Sequence, residues 1–286
     1  MKDAFVYNFI TKNLRNFFQD ELGYIEVPAQ SRLSILAACE DPTTIAQFNF
    51  GGVDYPLPQT GQMWLERELL ENQDWPGVFC VSTSYRNEKN PIPGRHDKIF
   101  PMFEFESKGD FGRLINLEKS LLEFLGFDKK TFRTLEYEDA CTRYGVETLE
   151  AEHEERIERD YGTAVFLQRF PQRTHPFWNM KHDRDGIYNK VDVLLHGMET
   201  IGSAERSTNV DEMREDFITL SDGRYSQLLY GAFGEDRVMA ELDDYLSLKM
   251  FPRFGGGIGV TRMARAMELA DLLPKKIGVE DLVTIK

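Results

Sequence analysis

Three segments of the chain carry side chains whose types and spacing suit phosphate and carboxylate chemistry. The first runs Tyr85-Arg86-Asn87-Glu88, then Arg95-His96, then Phe100, then Glu104-Phe105-Glu106. An arginine at a strand end suits a phosphate, because a guanidinium offers a fork of donors to phosphate oxygens. Arg95 and His96 are placed to cap further phosphates, and Phe100 to stack on a base. Glu104 and Glu106 alternate with Phe103 and Phe105, so both carboxylates share one strand face. Read alone, the same pattern also fits an amphipathic edge hairpin with its charges in solvent.

The second segment runs from Asp192 through Gly197-Met198-Glu199-Thr200-Ile201-Gly202-Ser203-Ala204-Glu205-Arg206. Gly202, Ser203 and Ala204 are small enough for a ligand to approach the backbone. Glu199 suits an oxygen ligand for Mg²⁺, and Arg206 a carboxylate clamp. A glycine-bearing bulge with an exposed ion pair is the plainer reading. The third segment is Gly255-Gly256-Gly257-Ile258-Gly259-Val260-Thr261-Arg262. Glycines before a helix are weak evidence singly. Free N–H groups at a helix start do favour anions, and Arg262 lies there.

Elements must hold these segments in place. Helical spacing from Lys2 to Leu22, closed by Gly23, predicts a first helix. Tyr24 to Val27 reads as a strand stopped at Pro28. Gly51-Gly52 marks a hairpin between Gln47–Asn49 and Val53–Tyr55. Gly61 to Leu70 reads as a helix. Val78 to Tyr85 and Ile99 to Glu106 read as an antiparallel pair joined by a long loop, Asn87 to Lys98. Leu114 to Leu125 is helical. Tyr137 to Arg159 is mainly helical, with Glu147 to Arg159 a solvated helix. Ala164 to Gln168, Gly186 to Leu195 and Tyr245 to Met250 read as strands. Met213 to Phe217 and Arg237 to Leu242 lie in helices. Gly255 to Gly259 opens a last helix through Leu269. The implied class is α+β, as one domain over residues 1–286.

Composition excludes several classes. The 286 residues are 41% hydrophobic and include 21 Phe, enough for a large core and unlike a disordered chain. With 34 basic and 48 acidic residues the net charge is −14, which repels a polyanion. Cys39, Cys80 and Cys141 are few and odd in number, as in a reducing compartment, and they fit neither a disulfide frame nor a zinc site. No apolar run is long enough to span a membrane, and the start of the chain lacks a secretory pattern. A cytoplasmic protein is expected.

Taken in order, YRNE…RH…F…EFE, GMETIGSAER and GGGIGVTRM resemble the catalytic core of class II aminoacyl-tRNA synthetases, from about Phe5 to Leu269. The nearest subgroup is the aspartyl, asparaginyl and lysyl one, with its tRNA-independent relative, ammonia-dependent asparagine synthetase. The resemblance implies an antiparallel sheet of about six strands flanked by helices, and usually a homodimer. It implies ATP-dependent, Mg²⁺-assisted activation of a carboxylate as an acyl-adenylate. Arg86 would then hold the α-phosphate and Glu88 meet the adenine side. Arg95 and His96 would meet the outer phosphates. Phe100 would stack on adenine, with Arg262 above it or on the γ-phosphate, beside Gly257 and Gly259. Glu199 would hold Mg²⁺, with Glu104, Ser203 and Arg206 in the amino-acid pocket.

Pro58 to Glu66 resembles the family's substrate helix, S-G-Q-L-x-x-E in asparaginyl-tRNA synthetases. There the Gln serves the substrate and the Glu accepts from its amide, roles that fall here on Gln62 and Glu66. An exposed helix charge is the plainer reading of Glu66. Two positions depart from the pattern: Pro28 directly follows Val27, and Ile99 stands where Glu is frequent. The first helix begins at Met1, leaving no room for the subgroup's N-terminal anticodon-binding barrel. That feature and the acidic charge lead to an expected aspartate–ammonia ligase, an enzyme of asparagine biosynthesis, with an amino acid and ammonia as partners and tRNA disfavoured. The alternatives are a truncated asparaginyl-tRNA synthetase paralogue and a silent amino-acid sensor.

Overall fold

The structure is a computed structural model that describes residues 3–29, 33–38, 41–93, 95, 97–184 and 186–275. His96 and Cys39 lie outside the described residues. In chain order the elements are α1 (Ala4–Arg15), β1 (Ile25–Glu26), the hairpin β2 (Gln47–Phe50) and β3 (Val53–Pro56), α2 (Gln62–Glu71), β4 (Gly77–Tyr85) and β5 (Ile99–Lys108). Then come α3 (Phe111–Phe124), β6 (Phe132–Glu136), α4 (Tyr137–Tyr144), α5 (Ala151–Tyr161), β7 (Ala164–Pro171), β8 (His182–Arg184), β9 (Ile187–Leu195) and β10 (Met198–Arg206). The chain continues through α6 (Val210–Thr219), α7 (Arg224–Phe233), α8 (Glu235–Leu246), β11 (Arg253–Gly259) and α9 (Val260–Leu269).

One sheet carries the molecule, in the order β1-β4-β5-β11-β10-β9-β7-β6, with β8 added beside β9. That makes nine strands in this sheet among the described residues, where about six were expected. Short strands such as β6 and β8 carry too little pattern to be read singly. The pairs β1/β4 and β6/β7 are parallel and the others antiparallel.

The first helix starts where Asp3 caps it, its carboxylate accepting from the N–H groups of Phe5 (3.0 Å) and Val6 (3.3 Å). It ends in a widened turn over residues 16–21, which sends Phe17 and Phe18 inward. Phe18 packs against Tyr24, Phe79, Phe103 and Phe105. These rings, with residues of α1, α3 and α9, form the core on one sheet face. On the other face α2 lies across β4 and β5. A second core around Trp178, Phe217, Tyr225 and Tyr245 ties α6, α7 and α8 together.

Two expectations fail. Gly255 to Gly259 is itself a strand, β11, wedged between β5 and β10. A Cβ on Gly255 would lie 2.1 Å from Glu106 Oε1, and one on Gly256 2.4 Å from Ser203 Cβ. The glycines therefore make space for their neighbours' side chains. Tyr245 to Met250 is no strand: α8 runs on to Leu246, because Val238, Leu242, Tyr245 and Leu246 continue one buried helical stripe. Cys80 and Cys141 are free and buried. Among the described residues no helix is long and apolar enough to cross a membrane.

Candidate active site

A cavity of about 520 Å³ opens on the polar face of the sheet. It brings the three segments together. Arg86, Glu88, Arg95, Phe100 and Glu104 come from the first, Glu199, Ser203 and Arg206 from the second, and Gly257, Gly259 and Arg262 from the third. Gln62, at the start of α2, completes the wall. The strand register explains the convergence: Gly257 pairs with Glu104 on one side and Gly202 on the other.

The outer end is lined by cations held against acids. The Arg86 guanidinium lies 5.4 Å from the centroid of the Phe100 ring. Arg262 donates to the Glu199 carbonyl oxygen at 2.8 Å and to its Oε2 at 3.4 Å. Burial opposes ionisation of Glu199, but Arg262, Lys190 and Arg86 outweigh it and hold its carboxyl below the ordinary range. Arg95 reaches from the loop to Glu154 on α5, which also accepts the Glu199 N–H at 3.1 Å. So α5 is not simply the solvated helix expected: Glu154 is turned inward, and burial and the nearby Glu199 charge raise its pKa.

Glu199 has a neighbour that the sequence reading passed over. Asp192, on β9, is pushed up to about 7 by burial and by the Glu199 and Glu154 charges, against the pull of Lys190. Its Oδ1 is buried without a hydrogen-bond partner. The site carries no cluster of three or more His, Cys, Asp or Glu suited to a metal among the described residues. Mg²⁺ nevertheless needs only one or two carboxylates when phosphates complete its shell. Glu199 and the orphaned Asp192 oxygen fit that demand.

The inner end is sealed. Glu104 is fully buried and fastens the start of α2: both its oxygens lie 2.9 Å from the Gly61 N–H, and the Thr60 and Ser82 hydroxyls bond to it. Gln62 Nε2 donates to Glu106 Oε1 at 2.9 Å. Arg206 grips the same oxygen from Nε (3.0 Å) and Nη2 (2.7 Å). Burial raises the Glu106 pKa to about 7, with Arg206 opposing and Glu66 adding to the rise.

Glu66 departs from both earlier readings. It is fully buried, neither exposed nor part of the cavity lining. Its oxygens accept from Asn179 Nδ2 (2.6 Å), Tyr245 OH (2.7 Å) and Arg253 (3.0 and 2.8 Å), and Arg206 Nε lies 3.5 Å away. Glu66 therefore stands behind the wall, in contact with Asn179 and 3.5 Å from Arg206, both of which line it. Ser203 lies among the residues that line the cavity, with its hydroxyl turned away from it. Its hydroxyl lies 2.5 Å from Glu118 Oε1 and 3.3 Å from the Val191 carbonyl oxygen, either of which can take its one proton, on the face packed by α3. Only the lining position of Ser203 is kept, not its hydroxyl.

Arg253, Asn179, Lys190, Asp192 and Glu118 are the residues that sequence reading missed. Lys190 and Asp192 left a signal, two alternating charges inside the apolar strand IYNKVDVLL. Asn179 lies outside any regular element and left none.

The chain matches the family model of tRNA synthetases class II (D, K and N) over residues 5–272. It is 25% identical to an asparagine–tRNA ligase of Desulforamulus reducens over 88% of this chain and 62% of that protein. It is 24% identical to that of Pelotomaculum thermopropionicum, over 89% and 63%. The chain thus spans a little over three fifths of these curated relatives. Among solved structures it resembles asparaginyl-tRNA synthetase from Pyrococcus horikoshii complexed with asparaginyl-adenylate, with a TM-score of 0.74 at 19% identity, covering 93% of this chain and 65% of that one. The Entamoeba histolytica enzyme in complex with asparaginyl-adenylate gives 0.71 at 18%, covering 96% and 66%. By its family match and by the fold that places those matched segments around one cavity, the chain belongs to the class II tRNA synthetases of the D, K and N group.

Proposed function

We propose that this chain activates an amino acid bearing a hydrogen-bond donor on its side chain, asparagine or an analogue, as an aminoacyl-adenylate. The observation that carries this reading is the charge balance of the inner end. Arg206 is already held by Glu106 and faces Glu66, and Glu66 is held by Arg253. Of the two buried acceptors there without a hydrogen-bond partner, Glu106 Oε2 and Asn179 Oδ1, only the second belongs to a residue that lines the cavity. A side-chain amide supplies a donor to Asn179 Oδ1. A side-chain carboxylate would add a further anion and compete for Arg206, with a large desolvation cost.

In the reaction, an oxygen of the substrate's reacting carboxylate attacks the α-phosphorus of ATP. The bond from that phosphorus to the bridging oxygen breaks, and pyrophosphate leaves with the electron pair. Arg86 neutralises charge that develops on the α-phosphate. Phe100 stacks on adenine with Glu88 beside it. Arg95 exchanges Glu154 for the outer phosphates, with His96 as its expected neighbour, and Arg262 takes the γ-phosphate. Gly257 and Gly259 leave room at the strand end. Glu199 and Asp192 would hold Mg²⁺, which supplies charge neutralisation between phosphates.

The aspartate–ammonia reading has less behind it, because among the described residues the two arginines of the inner end, Arg206 and Arg253, are already paired with carboxylates. The relatives are tRNA ligases by name, so the expectation against tRNA gains no support from them. The acceptor is tRNA or another nucleophile. A homodimer through α1 and β1 is also proposed. Phe5 (44%) and Ile25 (39%) are exposed there, and β1 is a sheet edge. Sedimentation at micromolar concentration tests it, and a monomer mass rejects it. ATP–pyrophosphate exchange over all amino acids tests the activation itself. Exchange with asparagine and not with aspartate is expected; exchange with aspartate alone overturns the reading.

A further inference from the structure

Lys190 and Asp192 are the two charged residues of β9 and stand on the same face of it. Lys190 Nζ donates to Asp192 Oδ2 at 2.6 Å and lies 3.8 Å from the centroid of the Phe170 ring. The ammonium is thereby fixed in the cavity wall. Asp192 is only 8% exposed, and its other oxygen, Oδ1, has no hydrogen-bond partner. That oxygen faces Glu199 across Gly202: a Cβ built on this glycine would lie 3.7 Å from Asp192 Oδ1 and 2.7 Å from Glu199 Oε1. Glu199 in turn has Arg262 at 3.4 Å. Two carboxylates are thus already matched by two cations, one on each.

We propose that Lys190 is a resident cation that keeps the Asp192–Glu199 pair from capturing a divalent ion before nucleotide arrives. A free divalent ion gains little from a neutralised pair, since the ammonium repels it and holds half of one carboxylate. A polyphosphate brings the further negative charge and oxygen ligands that a hard cation needs. Metal entry is then tied to nucleotide entry by one side chain. Only this nucleotide arm rests on the activation reading above.

The test uses Mn²⁺ as the probe, with the full chain and no nucleotide, by calorimetry and by electron paramagnetic resonance. Lys190→Met is expected to bind Mn²⁺ at least about 10-fold more tightly than the wild type. Lys190→Arg keeps the charge and shows no gain. Adding Asp192→Asn to Lys190→Met abolishes the gain. Lys190→Gln serves as a second neutral variant if the methionine chain does not fold. Equal Mn²⁺ affinity in wild type and both neutral variants overturns the proposal, as does a gain that survives Asp192→Asn. Pyrophosphate exchange by the wild type is measured apart. Its absence rejects the activation reading and leaves the nucleotide-free Mn²⁺ result to stand or fall alone.

Discussion

The two ends of the cavity use the same residue types in opposite ways. At the outer end Arg86, Arg95, Lys190 and Arg262 line open space, each close to an acid or a ring that an anionic ligand can displace. At the inner end Arg206, Arg253, Glu66 and Glu106 are 0–3% exposed and satisfy one another. Exposed charge is available for binding, and buried, paired charge is a fixed frame; on the function proposed above, an unfilled acceptor in that frame reads the substrate. A mutation at the outer end should therefore change rate with the fold intact, while one at the inner end should change stability first.

The largest expected effect follows from breaking the frame. Glu66→Ala leaves Arg253 buried without its carboxylate and should cost about 3–5 kcal/mol of stability in urea unfolding. A loss below about 1 kcal/mol would mean the pair is not the closed unit described here. Glu66→Lys gathers three cations and should not fold. At the outer end, Arg86→Ala should leave the urea midpoint unchanged and slow pyrophosphate exchange by about 10²–10³. Near-normal exchange would remove Arg86 from the phosphate site.

Glu118 sharpens the contrast, because it is buried with a hydroxyl rather than a cation for company. Burial, with Ser203 opposing, pushes its pKa up to about 8. Between the ordinary carboxylate value and about 8, the folded chain keeps a proton that the unfolded chain has lost. Stability must then fall as pH rises through that window, by up to about 1.4 kcal/mol per pH unit from this group. Glu118→Gln should flatten that slope relative to wild type, measured by urea unfolding from pH 5 to about 8. An unchanged slope would mean that Glu118 is ionised in the fold. Smallest of all, Ser203→Ala should cost about 1 kcal/mol of stability with no change in exchange. A raised KM for the amino acid would return its hydroxyl to the pocket.

Most of the outer end was legible in the sequence because its residues sit on strong local patterns. Arg86 ends an apolar strand, Phe100 begins the returning one, and Arg262 follows a glycine run. The inner end was not, because its partners are far apart along the chain. Glu66 meets Asn179, Tyr245 and Arg253, and nothing local to Glu66 distinguishes a buried ion pair from a solvated helix charge. Tyr245 carried a misleading strand pattern at the end of α8. The strand β11 was hidden because four glycines in seven residues have no side-chain alternation to read. Its reason lies in Glu106 and Ser203 on the neighbouring strands. The strand β10 that carries Ser203 was not read as a strand over Met198 to Arg206; its register shifts between Glu199 and Ile201, a bulge that the glycine-bearing pattern there had suggested as the plainer reading.

On the proposed function, the inner end selects a substrate side chain that donates a hydrogen bond. Calorimetry with two nonhydrolysable sulfamoyl adenylates, the asparaginyl and the aspartyl, tests it without any acceptor. The asparaginyl analogue is expected to bind about 10–100-fold more tightly, since the aspartyl one leaves the buried Asn179 acceptor unpaired. Equal binding, or a preference for the aspartyl analogue, would contradict it.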